Sequence, residues 1–77
     1  MPTSLHSLPR GASATVLSVD DQPLRVRMAS MGIRPGASIL VVARSAAGSR
    51  VVRVGDARLT IAKELALGIA VEPLHVQ

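Results

Sequence analysis

Apolar residues along the chain fall into short runs separated by glycine, proline and polar clusters, a pattern typical of short β-strands joined by tight turns. Five runs are predicted as strands, and their spacing predicts a small β-barrel or sandwich. A closed barrel would also remove the sheet edges that so apolar a chain could not safely expose. The predicted strands are Ser13–Val19, Ser38–Ala43, Arg50–Val54, Ala57–Ile61 and Ile69–Val71.

Two short helices interrupt this β pattern, so the predicted fold class is all-β in the sense of mainly β with one or two short helices. The first helix is predicted over Leu24–Met31, after an N-terminal entrance at Asp20–Pro23. The second is a single turn over Ala62–Leu67. In the first helix the spacing i, i+4, i+7 places three apolar residues on one narrow stripe, namely Leu24, Met28 and Met31.

Glycine and proline residues mark the positions where the chain must turn. Gly32 is predicted to follow the first helix with a positive φ, and Ile33 to fold back onto that helix. The dipeptide at Pro35 and Gly36 suits a type II turn, which needs φ > 0 at its third residue. We therefore expect five residues to serve backbone geometry rather than chemistry: Gly32, Pro35, Gly36, Gly55 and Gly68.

A chain of 77 residues forms one domain, predicted over residues 7–74 with flexible ends at 1–6 and 75–77. Cysteine is absent, which excludes disulfides and thiolate metal sites. No run of about 18 apolar residues exists, so no membrane insertion is expected. The first residues do not follow the pattern of a secretory leader, and we expect a cytoplasmic protein.

The net charge of +4 favours anionic partners, and eight of the nine cationic residues are arginine. Arg50, Arg53 and Arg58 share the predicted hairpin and could form a basic stripe for nucleic acid. Modules that bind single strands rely on aromatic stacking, however, and the chain has no Phe, Tyr or Trp. Solvated hairpin arginines are therefore the preferred interpretation, and a basic nucleic-acid-binding barrel stays an alternative.

Residues for catalysis or metal binding are few. The two histidines lie near the ends of the chain and offer little general-base chemistry, so we do not expect an enzyme. His6, Glu72 and His75 could meet around a transition metal if both termini lay on one side of the barrel. Solvated terminal residues are the simpler interpretation, and no cofactor is predicted beyond this possible weak metal binding.

One segment resembles a known family. Arg27–Gly36 (RMASMGIRPG) resembles the R-L-x-x-L-G-[IL]-x-P-G signature of FeoA-type domains, with methionine at both leucine positions, a volume-conserving change. Val51–Ile61 (VVRVGDARLTI) is similar to the hairpin of that family, and Ala62–Val71 (AKELALGIAV) to its helical turn and closing strand. The resemblance extends over Ser7–Pro73, which is nearly the whole chain.

The resemblance implies a small cytoplasmic barrel of the SH3-like kind that accompanies FeoB, a membrane transporter of ferrous iron with a cytoplasmic GTPase-like domain. It also implies an accessory or regulatory binding module rather than a catalyst. Similar domains end some metal-dependent repressors of the DtxR type, so a metal-responsive regulatory domain is a further alternative.

A docking surface is expected to serve this binding role. The first helix, the turn after it and part of Ile39–Val42 carry more apolar residues than one barrel interior needs. The cytoplasmic part of the transporter, or a second copy of the chain, would cover the surplus; alternatively, the helix simply closes the barrel as a lid. The residues expected at this surface are Leu24, Val26, Met28, Met31, Ile33 and Pro35.

Overall fold

A single antiparallel sheet carries the fold in the computed structural model, which describes residues 2–20 and 22–74. Within that part of the chain the helices are α1 (Gln22–Ser30) and α2 (Lys63–Leu67), and a 3₁₀ turn lies at Leu5–Ser7. The strands occur in the spatial order β1-β6-β2-β3-β4-β5. Their bounds are β1 Thr3–Ser4, β2 Ser13–Val19, β3 Ser38–Arg44, β4 Arg50–Val54, β5 Ala57–Ile61 and β6 Ile69–Pro73.

The mainly β fold and all five predicted strands are confirmed. Buried aliphatic side chains from β2 to β6, from both helices and from the 3₁₀ turn meet in one core cluster. A single sheet whose inward residues share one core must curve around it, so the molecule is a small barrel. The sheet order leaves the barrel open between β1 and β5.

The N-terminal segment is ordered structure, and the prediction of a flexible end over residues 1–6 is wrong for residues 3–6. Thr3 pairs with Val71 and Ser4 with Ala70 in β6. Leu5 is completely buried and fills the adjacent end of the core. A two-residue strand is too short to give a sequence pattern, because alternation needs about four residues to be seen. The predicted flexible end over 75–77 lies outside the described residues.

The end of α1 has the predicted geometry. Gly32 has a φ of +94°, and its amide donates to the carbonyl of Ala29 at 3.1 Å. The amide of Ile33 donates to the carbonyl of Met28 at 2.8 Å. These two bonds form a Schellman motif, in which the residue after the glycine packs on the last turn of the helix. Ile33 and Met28 are accordingly both buried in the core.

The turn at Pro35 and Gly36 passes the chain directly into β3. The amide of Ala37 donates to the carbonyl of Arg34 at 2.9 Å, and Gly36 has a φ of +93°, as a type II turn requires. The Gly36 amide also donates to the carbonyl of Val16 at 2.8 Å. The turn is thereby hydrogen-bonded to β2, which fixes where β3 begins.

Arg50 is buried, and its prediction as a solvated hairpin arginine is wrong. Its side chain is 2% exposed at the start of β4. Nη2 donates to the carbonyl of His6 at 2.6 Å, and Nη1 donates to the carbonyls of Gly48 at 2.9 Å and Ser49 at 3.3 Å. One guanidinium therefore joins the 3₁₀ turn to the β3–β4 loop, and its Nε has no hydrogen-bond partner among the described residues.

Positive charge concentrates around this arginine. Arg44 lies opposite Arg50 in the β3–β4 register. Burial first, and the charge of Arg44 second, lower the pKa of the Arg50 guanidinium, which nevertheless stays protonated as arginine does in proteins. The pKa of His6 is also lowered, first by desolvation and then by Arg50, Lys63 and Arg44. The fold therefore favours the neutral form of His6.

Gly32→Val should lower the free energy of unfolding by about 2 kcal/mol or more, because a β-branched residue resists a positive φ. The added Cβ would also lie only 3.3 Å from Cγ1 of Val54. Thermal unfolding measures the effect. Gly68→Ala is the control: Gly68 ends α2 with a φ of −91°, and the nearest atom to its added Cβ is 3.7 Å away. Equal melting of the two variants would contradict the assigned helix end.

Arg50→Ala should cost about 2–4 kcal/mol of stability, because it removes a buried aliphatic stem and leaves backbone carbonyls without their donor. Arg50→Met keeps most of the stem and loses only the hydrogen bonds, so its loss should be smaller. Chemical denaturation of both variants separates the packing contribution from the polar one. An Arg50→Met protein at least as stable as the parent would show that the guanidinium contributes no net stability.

His6→Gln should flatten part of the pH dependence of stability. Below its ordinary pKa of 6.5 the unfolded chain protonates His6 before the folded chain does. His6 therefore makes the parent less stable as the pH falls through 6.5 towards the lower pKa of the folded state. Denaturation at about pH 7.5 and about pH 5 should show a larger loss for the parent than for the variant. An equal loss of stability in the parent and the variant would contradict the lowered pKa of His6.

Candidate binding surfaces

The inner side of α1 belongs to the core, which corrects part of the predicted docking surface. Met28 is 6% exposed and Ile33 1% exposed, so neither can contact a partner and the prediction is wrong for both. Leu24 is partly buried and packs against the same core. Two residues of the predicted stripe, Leu24 and Met28, close the barrel as a lid, because they lie on the side of the helix that faces the core, whereas Met31 follows the helix and is exposed.

The exposed side of this region is mixed, because a few apolar residues lie there beside Arg25 and Arg27. Val26 is 69% exposed and Met31 is 38% exposed, and Pro35 is exposed in the turn that follows. These three residues, the helix patch, are the predicted docking residues that the structure leaves accessible. Isolated exposed apolar residues are ordinary on protein surfaces, so these three form a binding surface only together with what lies beside them.

A groove of about 280 Å³ lies on the outer surface of the sheet. Leu74 is 48% exposed at its rim and is held there by its amide, which donates to the carbonyl of Ser13 at 2.9 Å. Leu40 of β3 lies opposite Arg53 of β4 in the register. This sheet groove combines an apolar floor with a cationic side, and its lining residues are Ser13, Ser38, Ile39, Leu40, Arg53, Gly55 and Leu74.

The sheet groove follows from the two-sided apolar character of β3. Ile39 and Val41 are buried, whereas Leu40 and Val42 on the alternate positions are only partly buried. Such a run signals a strand with an apolar outer face. Leu74 could not be identified from the sequence, because its position depends on the distant pairing of the chain after β6 with β2.

The helix patch and the sheet groove are neighbours through the end of β4. The backbone of Gly32, which follows Met31, lies against Val54, since a Cβ built on that glycine falls 3.3 Å from Cγ1 of Val54. Val54 precedes Gly55, which lines the groove. A partner that covers one surface is therefore well placed to reach the other.

Two of the three predicted metal ligands lie in the described part of the chain. His6 lies in the 3₁₀ turn and Glu72 in β6, and His75 lies outside the described residues. In residues 2–20 and 22–74 no group of three His, Asp or Glu side chains is close enough to hold a metal ion. Over the same ranges, no helix has both the length and the apolar character needed to cross a membrane.

Comparison with solved structures supports the fold assignment. A crystal structure of an iron uptake regulatory protein, FeoA, is 31% identical to the chain, with a TM-score of 0.86 over 96% of this chain and 99% of that one. FeoA of Stenotrophomonas maltophilia, solved with zinc and described as a procaryotic SH3 domain protein, is 28% identical, with a TM-score of 0.79 over 91% and 89% of the two chains. The SH3-like barrel is thereby confirmed.

A regulatory protein shares the same domain. A manganese-dependent transcriptional repressor is 29% identical, with a TM-score of 0.82 over 95% of this chain and 42% of the repressor. No curated protein sequence matches the chain. The FeoA domain model matches residues 3–73, which includes every strand and helix described above. The chain belongs to the FeoA family.

Proposed function

We propose that the chain is an accessory or regulatory binding module of ferrous iron uptake, which docks on the cytoplasmic part of a FeoB-type transporter through the helix patch. The observation that carries the proposal is the exposure of apolar residues in and just after α1, led by Val26 at 69%, in a helix whose inner side already closes the core. Membership of the FeoA family supports the link with iron transport. Binding, rather than catalysis, is the role that such a surface performs.

The size of the surface supports docking over a wider area than the helix patch alone. A standard interface buries about 800 Å² on each partner, roughly a sixth of the 4809 Å² accessible surface of this chain. Val26, Met31 and Pro35 provide only part of that area. The sheet groove lies next to them across Val54 and supplies a further apolar floor. The helix patch would form the centre of the contact and the groove its extension.

A second candidate is a metal-responsive regulatory domain, which the similarity to the manganese-dependent repressor favours. The two candidate functions differ in the ligand that the chain needs. A docking module binds its protein partner with or without metal, whereas a metal-responsive domain needs an ion. Anaerobic calorimetry with ferrous and manganous ions separates them.

The double variant Val26→Gln with Met31→Gln should weaken binding to the transporter by at least about tenfold, since each buried apolar side chain contributes about 1.5 kcal/mol. Both side chains are exposed, so folding should be unaffected. Biolayer interferometry against a FeoB-type transporter in nanodiscs measures the affinity. The matched control replaces two exposed leucines of α2, Leu65→Gln with Leu67→Gln, at 36% and 52% exposure.

Equal loss in the two double variants would show that the helix patch is not the docking site. Salt dependence separates docking from binding to nucleic acid. Apolar docking should change little between about 50 and 200 mM salt, whereas contacts to phosphates weaken steeply over that range. A steep salt dependence with a single-stranded oligonucleotide, together with no affinity for the transporter, would favour the nucleic-acid alternative.

A further inference from the structure

The sheet ends in an open edge at β5. This strand is the last in the sheet order and pairs with β4 along one side only. No backbone or side-chain hydrogen bond outside that ladder involves Arg58, Leu59 or Thr60 within the described part of the chain. Edge strands present unpaired N–H and C=O groups, and proteins that do not use them usually cover them.

The register identifies which groups face outward. The β4–β5 hairpin has a two-residue turn, in which Gly55 has a φ of +59° and Val54 pairs with Ala57. Residues flanking such a turn exchange hydrogen bonds, and bonded and non-bonded pairs then alternate along the ladder. Arg58 and Thr60 fall on non-bonded pairs. Their amides and carbonyls therefore point away from β4, towards the open edge.

Two cationic side chains lie on and beside this edge, Arg58 on β5 and Arg53 on the neighbouring β4. Arg58 lies directly opposite Arg53, and both are exposed. Neither forms an ion pair with a carboxylate in residues 2–20 and 22–74. Like charges opposite each other on a sheet are destabilising, so the pair costs stability in the isolated chain. A carboxylate placed beside both guanidinium groups would remove that cost and gain two charge-assisted hydrogen bonds.

We propose that the β5 edge binds an extended acidic segment of another protein, which adds to the sheet as a further strand. Its backbone pairs with the outward groups of Arg58 and Thr60, and an acidic side chain on its outer face contacts Arg58 and Arg53. Main-chain bonds give affinity in this mode of recognition, and the side-chain contacts give specificity. The inference does not depend on the proposed function, because the helix patch takes no part in it and the two share only Arg53, which lines the sheet groove.

Other occupants match the edge less well. A second copy of this chain has the same net charge of +4, and pairing two β5 edges would bring four arginines together. Nucleic acid could neutralise Arg53 and Arg58 through its phosphates. It offers no backbone that matches alternating donors and acceptors along a strand, and the chain has no aromatic residue on which bases could stack.

The test uses a short capped peptide of alternating glutamate and valine, titrated into the folded chain at about 50 mM salt and followed by amide NMR. The expected result is chemical-shift change and slowed hydrogen exchange at Arg58 and Thr60. The matched peptide with lysine in place of glutamate should not bind. Arg58→Glu should reverse the preference, so that the lysine peptide binds better than the glutamate peptide.

Two variants at one position isolate the backbone contribution. Thr60→Pro removes the outward amide without breaking the ladder to β4, since proline is tolerated where the N–H of an edge strand faces solvent. Thr60→Val loses the hydroxyl and keeps the amide. Affinity should fall at least about tenfold in the first and stay unchanged in the second. If Thr60→Pro fails to fold, the parent chain can be tested with a glutamate–valine peptide that is N-methylated at alternate residues. This peptide cannot donate its own backbone hydrogen bonds to the β5 edge.

The inference is overturned if both peptides bind equally, or if neither binds at millimolar concentration while the parent chain is folded. It is also overturned if Arg58→Thr makes the chain self-associate without any acidic peptide binding to the parent, because the arginines would then act only to prevent edge pairing. Preferential binding of an oligonucleotide to Arg53 and Arg58 would overturn it as well. None of these outcomes bears on docking through the helix patch.

Discussion

The buried guanidinium of Arg50 is the interaction that holds the 3₁₀ turn against the β3–β4 loop at one end of the barrel. It binds carbonyl oxygens from the 3₁₀ turn and from the β3–β4 loop, two segments far apart in sequence. A core without aromatic residues has few side chains long enough to reach across a barrel end, and the arginine stem provides that length in apolar form. Backbone oxygens, rather than a carboxylate, satisfy its charge, and so the surrounding region stays strongly positive.

The cation that stabilises the fold and the surfaces available for binding lie in different parts of the molecule. At one end of the barrel, the buried Arg50 binds backbone carbonyls and holds the N-terminal segment in place. The remaining exposed features lie elsewhere, on the outer side of α1, in the sheet groove and along β5. The core already contains leucine, isoleucine and methionine side chains, and further apolar side chains such as Leu40, Met31 and Leu74 lie at least partly at the surface. The fold thus offers several contact areas on a very small domain.

Sequence reasoning succeeded where structure is set locally. β-branched runs gave the strands, and the spacing of Gly32 and Ile33 from Met28 gave the end of α1, because a Schellman motif involves only neighbouring residues. It failed where the outcome depends on distant segments. Arginine is usually found at the surface, but Arg50 is buried. Its burial depends on the distant His6, whose carbonyl accepts a hydrogen bond from the guanidinium. The apolar stripe Leu24, Met28 and Met31 is likewise compatible with both a docking surface and a lid, because periodicity shows one apolar side without showing what covers it.

Pairing of the first strand with the sixth has a consequence for biosynthesis. β6 lies between β1 and β2 in the sheet, so neither early strand has its principal neighbour until Ile69–Pro73 has left the ribosome. Folding governed by such long-range pairing is slow compared with that of helical domains. The nascent polypeptide therefore stays open, with aliphatic segments accessible to chaperones, until translation has passed β6.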